Sequence, residues 1–253
     1  MHGTNRPGRL PLLAALLWAC GDASLQDVEQ RLVGSYASRS TVATLQEVPL
    51  VGKIPSTVTI LGLADVLRGE GGLRMQARGC RVVIQGAPGI TTTVADAVPQ
   101  SAAPQDTPLL LSREGEVVRW SRPEAVTLLG VRLTDPEREP LPTTDNDPRV
   151  VDQEGDGKPG VTIRVMSALA SGEIYVVQRQ RNAMAGTVQG DALIGLISDR
   201  SEQSVIGASH PLLKQNLMTE PDPDVNKSQV RLVRLAGRYD CTRVIAEEGT
   251  LFR

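Results

Sequence analysis

The chain has few aromatic side chains, few histidines and few cysteines. Of its 253 residues only Trp18, Tyr36, Trp120, Tyr175, Tyr239 and Phe252 are aromatic, which leaves no series of platforms on which single-stranded bases could stack. Lys and Arg total 27 against 29 Asp and Glu, so no basic surplus exists to neutralise a phosphate backbone. The expected partners therefore do not include nucleic acid. His2 and His210 are the two histidines, too few for a two-histidine zinc site once the N-terminus is removed. Ser209 and His210 are adjacent in sequence and read as loop residues, because no Gly-x-Ser-x-Gly elbow accompanies them. Gly69-Glu70-Gly71-Gly72 lacks the Gly-Lys-Ser/Thr ending of a nucleotide loop and reads as a hairpin turn or a mobile loop. No repeat of fixed period is present, which argues against a propeller or solenoid.

Long apolar runs are also missing. The longest, residues 10–18, follows a start whose only charged side chains are Arg6 and Arg9. It is too short to cross a bilayer core of about 30 Å as a helix. A basic start and a short apolar core are the parts of an export signal. Leu17-Trp18-Ala19-Cys20 resembles the lipobox of bacterial lipoproteins. That resemblance implies cleavage before Cys20 and lipid on its thiol and amino group, which anchors the chain to a membrane without spanning it. The expected address is the bacterial cell envelope, with a freely secreted protein as the alternative if ordinary cleavage occurs near Ala19 or Ala23.

The expected organisation is a signal peptide over 1–19, a polar lipidated tether over 20–31 and one β-rich domain over 32–253. Loss of Arg6 and Arg9 leaves the mature chain at about −4 with histidine neutral. If Cys20 is consumed by lipid, Cys80 and Cys241 remain as an even pair in an oxidising compartment. They form either one long-range disulfide or two separate buried thiols. Neither belongs to a Cys-x-x-Cys redox pair.

Short β-prone runs bounded by Gly, Pro, Asn and Asp fill the domain. They include 33–44, 56–61, 73–85, 109–111, 116–120, 125–133, 161–167, 173–179, 183–189, 193–198, 204–208 and 229–235, with 241–246 as a last strand closing the sheet. Leu63, Val66 and Leu67 predict a short helix, and so does 211–218. Parallel α/β architecture needs crossover helices of a dozen or so residues, and these are missing. The predicted class is all-β: a mostly antiparallel meander, closed as a β-barrel of lipocalin-like size or packed as a β-sandwich, with one or two short helices. Turns are expected at Arg181-Asn182, Gly190-Asp191 and 199–202. Proline-rich stretches at 97–108 and 136–148 read as surface loops.

One segment carries candidate chemistry. Asp145 and Asp147 precede Asp152-x-Glu154-x-Asp156-Gly157. Hard cations such as Ca²⁺ take six to eight oxygens, and alternate acidic side chains with a glycine turn can fold around one. The run resembles the Asp-x-Asp-x-Asp-Gly loops of extracellular calcium modules. Glu154 departs from that pattern, and Ile163 stands where an EF-hand has its bidentate Glu. Asp145, Asp147, Asp152, Glu154 and Asp156 are thus candidate Ca²⁺ ligands, or a solvated acidic turn with no ion. The expected function is a non-catalytic binding or structural β-domain, with the membrane, an apolar small ligand or an envelope protein as partner. The alternative is an exported metal-dependent hydrolase working through the acidic loop. A filled interior with that loop outside argues against the hydrolase.

Overall fold

The computed structural model describes residues 24–48, 52–168, 170–216 and 219–253. Within them lie β1 (Gly34–Val48), β2 (Gly52–Gly69), β3 (Gly72–Gln85), β4 (Thr91–Val94), β5 (Gln105–Glu114), β6 (Val117–Leu129), β7 (Val161–Met166), β8 (Ser171–Gln189), β9 (Ala192–Asp199), β10 (Glu202–Ala208), β11 (Thr219–Pro221) and β12 (Gln229–Arg234). Four short helices accompany them: α1 (Leu25–Leu32), α2 (Ala97–Ser101), α3 (Cys241–Ala246) and α4 (Glu248–Leu251).

The fold is all-β, and the barrel is the form it takes. β1, β2, β3, β5, β6, β8, β9 and β12 pair antiparallel in that order. β12 then pairs back onto β1, with Tyr36 opposite Arg234 and Ser40 opposite Val230. Closure removes the sheet edges that an open meander would expose. Strand β8 has 19 residues and is the longest. Along one edge it carries β6 and then β7, and along the other β9 and then β10.

Strand alternation places the core. On β5, Thr107 and Leu109 are buried while Asp106, Pro108 and Leu110 are exposed, as period-2 geometry requires. Trp120, Met75, Leu109, Leu193, Val230 and Leu232 fill the barrel. Trp120 lies opposite Gly186 on β8, and its indole N–H donates to the Ile194 carbonyl one strand further on at 3.3 Å. A side chain at 186 would overlap that carbonyl oxygen.

Both ends of the interior are stoppered. α1 starts at a capping box in which Ser24 and Asp27 bond each other's backbone N–H. It buries Val28 and Leu32, one turn apart, in the barrel core, and the Leu32 carbonyl accepts from the Tyr36 hydroxyl at 2.8 Å. Each such side chain contributes roughly 1.5–3 kcal/mol by burial. Beyond Gly79, α2 covers the inner face of β3. Its Pro99 packs so close that a Cβ on Gly79 would stand 2.8 Å from the proline ring, and Val98 joins Leu129, Val161, Ile163, Val176 and Val205 in a second apolar cluster. On the outside of the wall, α3 lays Val244 over Ala37, Leu63, Leu235 and Cys80.

Several sequence expectations are corrected here. Residues 63–67 are not a helix but part of β2: Ala64 and Val66 point into the barrel cluster, Leu63 lies beneath α3, and Asp65 and Leu67 are exposed. An apolar Leu63 covered on the outer face and an apolar but exposed Leu67 blur the alternation that marks a strand. Residues 241–246 are α3 rather than a closing strand, started by the Asp240 carboxylate accepting from the Arg243 N–H at 2.8 Å. Arg181-Asn182 is no turn, since β8 runs straight through it, and 199–202 joins β9 to β10 along one edge instead of forming a hairpin. Gly190-Asp191 does form a hairpin, between β8 and β9. Residues 25–31, expected in the tether, form α1 with Leu32 and pack on the barrel, and the 97–108 stretch contains α2, whose Val98 and Pro99 are buried.

Candidate functional site

The acidic segment sits in the connection from β6 to β7. These strands lie end to end along β8, Leu129 facing Gln178 and Val161 facing Val176, so residues 130–160 leave the sheet and return to nearly the same point. Gly130 and Gly160 form the neck. A Cβ on Gly130 would stand 2.8 Å from the Gly160 Cα, an approach that only glycine permits. Val151 crosses back through the neck, donating to Gly130 at 2.9 Å and accepting from Gly160 at 3.0 Å.

The excursion packs on the outer face of the wall. Leu133, Leu141 and Val150 cover Val131, Val177 and Ile206. Two β8 arginines hold it there. Arg179 reaches the Glu139 carbonyl through Nη2 and Glu202 through Nη1 at 3.2 Å. Arg181 Nη1 meets Glu137 at 2.6 Å.

Four of the five candidate carboxylates accept hydrogen bonds within the excursion or from the strand that follows it. Asp147 forms a fork with Arg149, Nη2 to Oδ2 at 2.7 Å and Nε to Oδ1 at 2.9 Å, and Arg149 also meets Glu139 at 2.8 Å. The Arg149 guanidinium holds the Asp147 carboxyl down at about 2 and lowers Glu139 as well. Asp152 accepts from the N–H groups of Gly155 and Gly157, each at 2.8 Å, and from Asp156 at 3.1 Å. Asp156 in turn accepts from Lys158 N–H at 2.9 Å. Glu154 accepts from Thr162 N–H at 2.7 Å through Oε1, while its Oε2 is buried without a hydrogen-bond partner. Burial raises the Glu154 pKa. Asp145, two residues before Asp147, is exposed. Among the described residues, no three Asp, Glu, His or Cys side chains come together as a metal-binding group. Asx-type turns close this loop.

Cys80 and Cys241 are joined, with sulfurs 2.03 Å apart across 161 residues of sequence. The bond ties α3 to the outer face of β3. Cys20 and the rest of residues 1–23, the expected signal and lipidation site, lie outside the described residues.

The interior holds a residue that sequence reasoning missed. Arg122 follows Trp120 on the inward face of β6 and is only 1 % exposed. Its Nη2 donates to the Asn182 carbonyl at 2.9 Å and to the Asn182 side chain, while Nε and Nη1 have no partner among the described residues. Burial pushes its pKa down to about 10. Gln105 bonded to Thr127, and Gln180 bonded to Gln178, lie on the same inner face. Together they make a polar layer between the two apolar clusters. In sequence, Arg122 is one arginine among many beside a proline, with nothing to mark it as buried.

No protein-family model, no curated protein and no solved structure matches this chain.

Proposed function

We propose that the protein is a lipid-anchored, non-catalytic β-barrel of the bacterial cell envelope that works through its outer surface. The observation that carries this reading is the stoppered interior. Val28 and Leu32 of α1 fill one end, Val98 and Pro99 of α2 cover the other, and Trp120, Tyr36 and Met75 occupy the space between. A barrel filled in this way offers its wall and loops to a partner, not its lumen. The acidic excursion lies outside that wall with its carboxylates engaged in turns and ion pairs, which does not suit the hydrolase alternative.

Two further features support an exported protein. The Cys80–Cys241 bond belongs to an oxidising compartment, and the 17–20 tetrapeptide fits lipid attachment at Cys20. Because α1 begins at Leu25, five residue steps separate it from Cys20. An extended chain of that length spans at most about 17 Å, so the α1 end of the barrel would face the membrane at close range.

The test is the intact mass and location of the expressed full-length chain. A membrane-fraction protein whose N-terminal peptide begins at a lipid-modified Cys20, converted to a soluble form by Cys20→Ser, is the expected result. An unmodified Cys20, or equal membrane attachment of the serine variant, would overturn the anchor.

A further inference from the structure

On the outside of the barrel, one row of residues crosses five strands in register. Arg39 of β1 lies opposite Arg231 of β12, which lies opposite Ile194 of β9, then Thr187 of β8, then Arg119 of β6. All five line a groove of about 810 Å³ whose lining residues include no Asp or Glu. Phe252 also lines it.

Arg39 and Arg231 are a like-charged pair directly opposite one another, an arrangement that destabilises a sheet. Little offsets it. Arg39 meets Glu248 at 3.7 Å, at the far limit of an ion pair, and Arg231 meets no carboxylate side chain among the described residues. Arg231 Nη1 donates to the main-chain oxygen of Arg253 at 3.0 Å, and its Nε is buried without a hydrogen-bond partner. At the other end Arg119 is paired with Glu114 at 2.5 Å. Strands lie about 4.8 Å apart, so Arg231 and Arg119 are separated by about 14 Å along the wall. Ile194 and Thr187 carry the interval, with Leu196 and Ala185 in the neighbouring row, while Thr41 and Gln229 flank the two arginines.

Two adjacent guanidinium groups offer more donors than the Glu248 carboxylate and the Arg253 oxygen take up. A phosphate monoester, with close to two negative charges and three terminal oxygens, matches them. Thr41 and Gln229 beside the arginines, with Thr187 and Arg119 further along, offer partners to the hydroxyls of a sugar whose apolar face lies on Ile194. We propose that this groove binds a small phosphorylated saccharide, its phosphate on Arg39 and Arg231 and its sugar extending across Thr187 towards Arg119.

The proposal rests on the reading that the barrel acts through its outer surface. It is tested on the purified full chain in detergent by calorimetric titration with glucose 1-phosphate, inorganic phosphate and glucose. Saturable binding of glucose 1-phosphate, weaker binding of inorganic phosphate and none of glucose is expected. Arg39→Gln and Arg231→Gln should each weaken binding on the order of tenfold, the loss expected for a hydrogen bond to a charged group. Relief of the like-charge pair should leave the melting temperature of Arg39→Gln no lower than that of the parent. If Arg231→Gln fails to fold, Arg39→Gln alone decides. Absence of saturable binding, equal affinity for inorganic phosphate and the sugar phosphate, or unchanged affinity in a folded Arg39→Gln variant overturns the proposal. Because the titration uses purified protein, binding can fail while lipid anchoring stands, and anchoring can fail while binding stands.

Discussion

Trp120 and Gly186 face each other across β6 and β8, and the missing side chain at 186 is what lets the indole reach the Ile194 carbonyl at 3.3 Å. A Cβ placed on Gly186 would collide with that carbonyl and with the Gly195 backbone. Neither is the end of a flexible side chain, so the wall itself has to move. Gly186→Ala is expected to destabilise the barrel by about 1–3 kcal/mol, the usual cost of overpacking. Urea unfolding followed by Trp120 fluorescence would measure it, and an unchanged midpoint would contradict the packing described.

The bond between Cys80 and Cys241 encloses 161 residues of sequence separation. On the chain-entropy model a loop of that length stabilises the fold by roughly 5 kcal/mol. Cys80→Ala together with Cys241→Ala should lower the denaturation midpoint by a corresponding amount. The loss should appear first in α3 and the segment leading into it, where Val244 and Tyr239 pack on the outside of the wall. Hydrogen exchange localises that effect.

In the acidic excursion, Asp147 has its carboxyl held at about 2 by Arg149. A carboxylate with a lowered folded pKa contributes stability that is complete above its unfolded value near 4 and is lost as pH falls through about 2. Limited proteolysis of residues 130–160 should therefore be constant from pH 7 to about 4 and accelerate only below that. Asp147→Asn should already show the open, protease-sensitive excursion at neutral pH, with the barrel intact.

Arg122 is buried with two nitrogens unpartnered, and its charged form is disfavoured there. Replacement of a buried charge by an apolar side chain of similar length is often neutral or stabilising. Arg122→Met is expected to keep or raise the melting temperature at pH 7. A fall of several degrees would show that the polar layer with Asn182 holds the barrel together.

Much of the fold was legible in residue order. Gly72 and Gly190 mark turns by local chemistry, and most of the barrel strands overlap β-prone runs bounded by such residues, though β5 showed only its 109–111 core. What escaped notice depends on partners distant in sequence. Leu63 and Val66 look helical because opposite faces of β2 are covered, one by α3 and one by the barrel core. Arg181 and Asn182 look like a turn because both are polar, yet Arg181 meets Glu137 in the excursion and Asn182 meets Arg122 inside. The acidic residues were visible, but their use as acceptors for Gly155, Gly157 and Thr162 N–H groups depends on loop geometry. The arginine row across five strands is invisible in sequence, since Arg39, Arg119 and Arg231 meet only through barrel closure.

The stoppered interior is tested most directly by Trp120, the one tryptophan after Trp18, in the chain processed before Cys20. Its emission should be that of a buried indole, and added lauric acid or an apolar dye should neither quench nor shift it, because Val28, Leu32, Val98 and Pro99 close the ends of the barrel. Saturable quenching of Trp120 by either probe would mean that the barrel opens to ligands, and would contradict a protein that works through its outer surface.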